Sequence, residues 1–271
     1  MNPVLLAAIS VGIIGLICAV MLAVASKIIA VKEDETFLRL RECLPGANCG
    51  ACGYAGCDGY AHALREGGVK PNLCVPGGDT AAKKISQLLG VEFEDVVEQV
   101  AFVRCNGDCN NTSDKMEYHG IQSCKAAKLF FGGSGKCTYG CLGLGDCASV
   151  CPNDAICIKD GLARVNPRLC VGCGLCAKEC PNGLIAVLPD TVKVIVRCRN
   201  TDKGGATRQE CSVGCIGCKK CEKECPTGAI TVNTNLAFVD YTKCTNCGHC
   251  QEVCPSGCIF IGDFSGAHKA K

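Results

Sequence analysis

Aromatic residues are scarce in this 271-residue chain: tryptophan is absent, and phenylalanine, tyrosine and tryptophan together make up 5% of it. An excess of charge of one sign is also lacking, because the formal net charge is only +2. Proteins that bind nucleic acid neutralise phosphates with many lysines and arginines. The charge balance therefore predicts no nucleic-acid partner.

Motifs of nucleotide-using and hydrolytic enzymes are missing too. Residues 132–135 form a short glycine-rich loop, and Gly204 and Gly205 follow Lys203 without the other positions of a Walker motif. No dinucleotide fingerprint and no nucleophile–base pair stands out in the sequence. We therefore expect no complete active site in this chain alone.

Cysteine is abundant instead, at 29 residues. Disulfide scaffolds are usually short and secreted, whereas these cysteines are grouped in runs. The two clearest runs are Cys215, Cys218, Cys221 and Cys225 before Pro226, and Cys244, Cys247, Cys250 and Cys254 before Pro255. In bacterial ferredoxins, three close cysteines of such a run hold one [4Fe–4S] cluster and the fourth ligates the partner cluster. A structural zinc site needs four ligands in two Cys-x2-Cys pairs, which would leave half of each run unused. The runs favour one-electron transfer through iron–sulfur clusters.

The second half of the chain is an internal repeat with a period of 74 residues. Eight cysteines of the first copy align with eight of the second, in the order Cys137, Cys141, Cys147, Cys151, Cys170, Cys173, Cys176, Cys180 and Cys211, Cys215, Cys221, Cys225, Cys244, Cys247, Cys250, Cys254. The two copies differ at one ligand position, where the first copy has Leu144 and the second has Cys218. We predict two tandem two-cluster modules at 136–190 and 211–271, joined by 191–210.

The exchange of fourth ligands predicts four ligand sets. In the first module they are Cys137, Cys141, Cys147 and Cys180, and Cys151, Cys170, Cys173 and Cys176. In the second module they are Cys215, Cys218, Cys221 and Cys254, and Cys225, Cys244, Cys247 and Cys250. Cys157 and Cys258 follow the proline of their runs and are expected to be packing residues.

A different cysteine pattern occupies residues 32–90, before a connecting segment at 91–135. Its expected ligands are Cys49, Cys52, Cys57 and Cys74. Gly50, Gly53 and Gly56 let the backbone approach a cluster and direct N–H groups at its sulfurs. This pattern predicts a small single-cluster domain and brings the number of firm [4Fe–4S] clusters to five, with Cys43 as a packing residue.

Apart from Cys18 in the N-terminal apolar run, five cysteines remain, and they leave two interpretations open. Val103-Arg-Cys105 and Val196-Arg-Cys198 resemble equivalent strand ends that bring two thiolates to one place. A sixth cluster would then use Cys105, Cys109, Cys124 and Cys198, with Cys211 the rival for the fourth position. The alternative is that these cysteines are free buried thiols.

The N-terminal 31 residues predict a single membrane-spanning anchor. Val4 to Ser26 is 23 residues without a charge, and at ~1.5 Å per residue such a helix crosses a hydrocarbon core of ~30 Å. A cleaved signal peptide is the alternative, although the chain lacks a basic segment before the apolar run. Lys27 and Lys32 follow the apolar run, so the positive-inside rule places the main body on the cytoplasmic side of the cell membrane. The predicted fold class is α+β: an anchor, a small cluster domain and two ferredoxin-like modules.

This order of parts resembles the B subunit family of the Rnf complex, in its long clostridial-type form. The resemblance covers nearly the whole chain, and its most specific part is the segment from Cys49 to Ala61 behind an uncleaved N-terminal helix. It implies a subunit of a membrane-bound, ion-translocating ferredoxin:NAD+ oxidoreductase. Such a subunit would accept electrons from reduced soluble ferredoxin and relay them to membrane and flavin-bearing subunits.

The function and one surface each have a second interpretation. The alternative function is a membrane-tethered polyferredoxin that relays electrons for a hydrogenase or dehydrogenase. Lys219, Lys220 and Lys223 lie within a ligand loop and predict a basic docking patch for an acidic ferredoxin, with a solvated helix face as the alternative.

Overall fold

The computed structural model describes residues 3–29 and 34–264, with side chains described for 11–26 and 34–264. The helices of this part are α1 (Pro3–Ile29), α2 (Glu35–Glu42), α3 (Gly56–Glu66), α4 (Gly78–Leu89), α5 (Cys124–Lys128), α6 (Asp146–Ser149), α7 (Leu175–Glu179), α8 (Gly204–Glu210), α9 (Lys220–Lys223) and α10 (His249–Glu252). The strands are β1 (Gln99–Val103), β2 (Ile156–Lys159), β3 (Leu162–Val165), β4 (Ile185–Pro189), β5 (Val194–Val196), β6 (Ile230–Asn233), β7 (Leu236–Val239) and β8 (Ile259–Ile261). The mixture of helices and strands agrees with the predicted α+β class.

The strands form two copies of one arrangement. In the first copy β1 pairs with β4 and β2 with β3, and in the second β5 pairs with β8 and β6 with β7, always antiparallel. The amide of Arg104 donates to the carbonyl of Leu184 and the amide of Arg197 to that of Cys258, both at 2.7 Å. Leu184 and Cys258 are one repeat period apart, so the ends of β1 and β5 are structurally equivalent. The stretches 91–135 and 191–210, predicted to be connections, thus each supply the first strand of a module.

The inner hairpin of each module is closed by two residues with positive φ. In the first module these are Asp160 and Gly161, at 54° and 72°, and in the second Thr234 and Asn235, at 44° and 61°. Two consecutive residues in this region make a type I′ turn, which matches the twist of the paired strands. The turns sit at equivalent positions, so both modules present their cysteine loops in the same way.

A small helical unit precedes the modules. The carboxylate of Asp34 accepts the amide of Thr36 at 2.9 Å and caps α2, and Gly90 ends α4 in the left-handed conformation at φ 65°. Leu40, Tyr60 and Ile85 form its core, all nearly inaccessible to solvent. The unit places its cysteines between α2 and α4.

Helix α1 carries the segment predicted to be a membrane anchor. The large apolar side chains described between residues 11 and 26 are exposed, with Leu22 at 71%. Residues 1, 2, 30 and 31 of the predicted anchor, and Lys32 after it, lie outside the described residues. In the described part of the chain, no helix combines the length and apolar character needed to cross a membrane.

Candidate functional site: six groups of four cysteines

The N-terminal group, site I, contains Cys49, Cys52, Cys57 and Cys74. Three of its members are buried and Cys52 is partly exposed. Burial raises the pKa of Cys74 to about 11, the amide of Gly77 opposes this, and the other three thiolates raise it further. The four sulfurs predicted to share a cluster therefore face one another.

The second module brings both of its predicted sets together. Site V consists of Cys215, Cys218, Cys221 and Cys254, and site VI of Cys225, Cys244, Cys247 and Cys250. Burial raises the pKa of Cys221 to about 12, and the other three thiolates of site V act in the same direction. The four cysteines of site VI line one cavity between β6, β7 and α10.

Glycine is required in the loop that leads into site V. Gly217 has φ +64°, and a Cβ built there would lie 2.9 Å from the Cα of Asn235. A larger residue would push this loop away from the hairpin turn. Gly143 occupies the equivalent place in the first module at φ +70°, so both loops need the same close approach.

The first module assembles one predicted set and alters the other. Site II unites Cys151, Cys170, Cys173 and Cys176 as expected. Burial, together with the thiolates of the other three, raises the pKa of Cys176 to about 12. Site III contains Cys141, Cys147 and Cys180 together with Cys124, and these four line one cavity. Cys137, expected in this set, lies elsewhere.

Asp146 explains why Cys124 joins site III. Its carboxylate accepts three hydrogen bonds, from the hydroxyl of Ser123 and the amides of Cys124 and Lys125, at 2.9, 2.9 and 3.0 Å. Asp146 begins α6 and directly precedes Cys147, so these bonds fix the start of α5 beside the ligand loop. The first module thereby obtains the fourth thiol that Leu144 does not provide.

The remaining group, site IV, lies between the two modules. Cys105, Cys137, Cys198 and Cys211 line a single cavity. Cys105 and Cys198 follow the equivalent ends of β1 and β5, while Cys137 and Cys211 are one repeat period apart. Each module therefore contributes the same two positions to a shared site.

The expected sixth set, Cys105, Cys109, Cys124 and Cys198, is not assembled in the structure. Cys109 is exposed, and its amide donates to the carbonyl of Asp160 at 2.9 Å. Cys124 belongs to site III. Only Cys105 and Cys198 of that set lie in site IV, and Cys211, the expected rival, lies there with them.

The surroundings of these sulfurs suit [4Fe–4S] clusters. Burial raises the pKa of Cys105 to about 12 and that of Cys198 to about 11, so a bound cation is needed to keep such thiols ionised at neutral pH. Backbone amides point at the sulfurs, as at Cys198, which accepts the amides of Cys215 and Asn200 at 3.3 and 3.4 Å. N–H groups directed at thiolates stabilise the charge of a cluster. The four-cysteine groups therefore fit [4Fe–4S] clusters.

Two further findings concern these thiols as a whole. All 29 cysteines are free. Within the described ranges, no three His, Cys, Asp or Glu side chains are gathered so as to hold a single metal ion.

Cys258 lies beside site V without belonging to its four. Its side chain is 2% exposed, and its Sγ lies 3.5 Å from that of Cys254. A hydrogen bond from this thiol lowers the pKa of Cys254 to about 4. In the first module Leu184 fills the equivalent place, which agrees with a packing position.

We expect the substitution Cys258→Ala to leave the iron content per chain unchanged, because site V keeps its four ligands. The potential of the site V cluster should fall slightly, since a hydrogen bond to sulfur is lost. Iron analysis with a redox titration of the full chain measures both. Cys254→Ala is the matched control and should lose one cluster; loss of equal iron from Cys258→Ala would contradict this assignment.

Cysteine groups of this kind on two ferredoxin-like modules define an iron–sulfur protein of the electron-transfer class. Three family models match the chain: "Putative Fe-S cluster" at residues 44–76, "4Fe-4S binding domain" at 163–186 and "4Fe-4S dicluster domain" at 214–258. They cover site I and parts of both modules, and none covers residues 77–162.

Relatives along most of the chain identify the family. The chain is 42% identical to the B subunit of the Na(+)-translocating ferredoxin:NAD(+) oxidoreductase complex of Acetobacterium woodii, covering 90% of this chain and 74% of that one. It is 45% identical to the proton-translocating counterpart of Clostridium ljungdahlii, covering 90% and 87%, and 44% identical to the B subunit of the ion-translocating oxidoreductase complex of Methanosarcina acetivorans, covering 85% and 88%. The chain belongs to this family of B subunits of ion-translocating oxidoreductase complexes, as its resemblance implied.

Proposed function

We propose that this protein is the electron-transfer subunit of an ion-translocating ferredoxin:NAD+ oxidoreductase complex, with electrons entering from reduced soluble ferredoxin. The observation that carries the proposal is the unbroken succession of six four-cysteine groups in a chain of this family. A [4Fe–4S] cluster bound at each group would supply one-electron transfer. The cysteines hold the clusters, and the fold sets their order.

Contacts between neighbouring groups support one order of sites from I to VI. The thiolate of Cys49 in site I is close enough to Cys173 in site II to raise its pKa. In addition, the ammonium group of Lys178 donates a hydrogen bond to the carbonyl of Cys49 at 2.6 Å. The thiolate of Cys176 in site II likewise raises the pKa of Cys147 in site III. These contacts join the N-terminal unit to the first module.

Site IV connects the modules through two equivalent contacts. The amide of Cys141 in site III hydrogen bonds to the sulfur of Cys105, and the amide of Cys215 in site V donates to that of Cys198. Within the second module, the thiolate of Cys250 in site VI raises the pKa of Cys221 in site V. We infer an unbranched relay of six clusters in which site IV is the link between the modules.

Electrons are proposed to enter at the second module. Cys218 of site V and Cys247 of site VI are exposed, so clusters there would approach the surface. Lys219, Lys220 and Lys223 are exposed beside Cys218. Positive charges around an exposed cluster edge would attract an acidic ferredoxin.

Replacing Lys219, Lys220 and Lys223 with Glu should slow reduction by ferredoxin roughly 10-fold or more at low ionic strength, because the attractive charge is inverted. The salt dependence of the rate should also be lost. Stopped-flow bleaching of the purified full chain measures both effects. The variant Lys83→Glu/Lys84→Glu is a control that changes an exposed lysine pair on α4, outside the second module; equal slowing in the two variants would contradict a docking role.

The main body is proposed to be tethered to the cell membrane by the N-terminal apolar segment, with sites I–VI on the cytoplasmic side. The uncharged run from Val4 to Ser26 and the exposed apolar side chains of α1 support this. Site I lies closest to that segment along the chain, which favours it as the exit towards membrane and flavin-bearing partner subunits. Family membership favours this role over an independent polyferredoxin relay.

Reduction of the full chain by ferredoxin tests the proposed function. Chain purified anaerobically from the membrane should bleach when mixed with reduced ferredoxin, and it should carry partner subunits in a fixed ratio. Absence of bleaching would reject the electron-transfer role. Bleaching in a chain that is isolated without partners would support the independent relay instead.

A further inference from the structure

Arginine side chains gather around site IV. Arg104, Arg197 and Arg199 line the same cavity as its four cysteines. Arg104 and Arg197 hold equivalent places, each directly before the cysteine that follows the first strand of a module. Both modules thus bring a cation as well as two thiols to the shared site.

The carboxylate of Asp108, which pairs with Arg164, attracts the guanidinium of Arg197 without a direct ion pair. In the part of the chain that the structure describes, no ion pair joins any of the three arginines to a carboxylate. Arg104 and Arg199 both donate to the carbonyl of Gly183, at 3.2 and 3.1 Å, and the Nε of Arg104 is buried without a hydrogen-bond partner. The guanidinium groups of Arg104 and Arg199 therefore meet at the same carbonyl.

Position connects these cations with site IV. Arg104 directly precedes Cys105, and Arg197 and Arg199 flank Cys198 on either side. All three side chains are partly buried, and Arg197 also lies over the ring of Phe260, 5.4 Å from its centroid. Charges in such a half-buried place are weakly screened, so a negative cluster would feel them strongly.

Sites III and VI have different surroundings. Among the described residues, no arginine lines the cavity of either site. Carboxylates lie near both kinds of site: Asp146 lines the cavity of site III, and Asp108 lines a cavity with Cys105, Cys137 and Cys211 of site IV. A four-thiolate [4Fe–4S] cluster is negative, and its charge becomes more negative when it gains an electron. The three arginines that line the cavity of site IV therefore favour the reduced form there more than at sites III and VI.

We propose that Arg104, Arg197 and Arg199 raise the reduction potential of the site IV cluster above those of sites III and VI. Gain of one electron reduces the cluster, and its loss to a neighbouring site reoxidises it. This inference rests on the proposed function, because it requires a cluster at site IV.

A redox titration of the full chain followed by electron paramagnetic resonance tests the inference. The site IV signal is first identified as the one missing from Cys211→Ala. In Arg197→Gln the midpoint potential of that signal should fall by about 59 mV, the equivalent of a tenfold change in the one-electron equilibrium. Arg197→Lys keeps the charge and should keep the potential. Arg208→Gln, which changes an exposed arginine on α8, should shift no signal.

The outcomes separate the inference from the function beneath it. An unchanged potential in Arg197→Gln, an equal shift of every signal, or loss of iron from either Arg197 variant would overturn the tuning role. A Cys211→Ala chain with full iron content and an unchanged spectrum would instead show that site IV holds no cluster, which is a failure of the proposed relay.

Discussion

Replacing Cys137 or Cys211 with alanine is expected to remove one cluster and separate the two ferredoxin-like modules electronically. Site IV contacts both site III and site V, through the amides of Cys141 and Cys215. Iron per chain should fall by about one sixth, because each site binds its metal through its own four thiolates. Reduction of the first module by ferredoxin should fall by more than the ~10–100-fold typical of losing a secondary contact at a metal site.

The control for this experiment is Cys109→Ala. Cys109 is exposed and does not line the cavity that holds all four site IV thiols, although it lines the adjoining cavity with Cys105, Cys137 and Cys211. Its removal should preserve the iron content and the reduction of both modules. Freeze-quench spectroscopy distinguishes reduction of sites V and VI from that of sites I to III. Full reduction of the first module in Cys137→Ala, or loss of a cluster from Cys109→Ala, would contradict the proposed link.

Replacing Cys124 with alanine should also cost one cluster, and the second substitution Leu144→Cys should restore it. Leu144 is the repeat equivalent of Cys218, and the preceding glycines, Gly143 and Gly217, both have positive φ. A cysteine at position 144 would lie midway between Cys141 and Cys147 and so recreate the Cys-x2-Cys-x2-Cys run of a ferredoxin. Iron and sulfide analysis of the wild type, Cys124→Ala and the double variant gives the result directly.

Leu144→Cys alone is the matched control and should leave the number of clusters unchanged, because Cys124 already completes site III. The double variant should regain about four iron atoms relative to Cys124→Ala, one cluster of the [4Fe–4S] type. A double variant that stays depleted, or a Cys124→Ala chain with full iron content, would show that Cys124 does not ligate the site III cluster.

Spacing along the chain was sufficient to predict most of these groups. In sites I, II, V and VI the cysteines lie within short loops or in runs that exchange one ligand, so local pattern determines which thiols meet. The 74-residue period also anticipated that β2 and β3 recur as β6 and β7. The assignment of clusters to these groups remains a prediction.

Sites III and IV could not be derived in this way, because their members come from distant segments. Cys124 reaches site III through the hydrogen bonds of Asp146, a tertiary contact that no spacing rule contains. A usable signal for site IV was nevertheless present in the sequence. Cys137 and Cys211 are one repeat period apart, and Cys105 and Cys198 each end a Val-Arg-Cys sequence, although the 74-residue period aligns Cys198 with Cys124. Combining the repeat with the Val-Arg-Cys sequences yields the four residues that the structure brings together.

The most direct test of the cluster relay is the iron and acid-labile sulfide content of the full chain prepared under strict anaerobic conditions, read with its Mössbauer spectrum. We predict six [4Fe–4S] clusters per chain, with iron and sulfide in equal amounts and no zinc. A colourless, zinc-containing protein would contradict the electron-transfer assignment altogether, and five clusters with an intact site III would contradict the link between the modules.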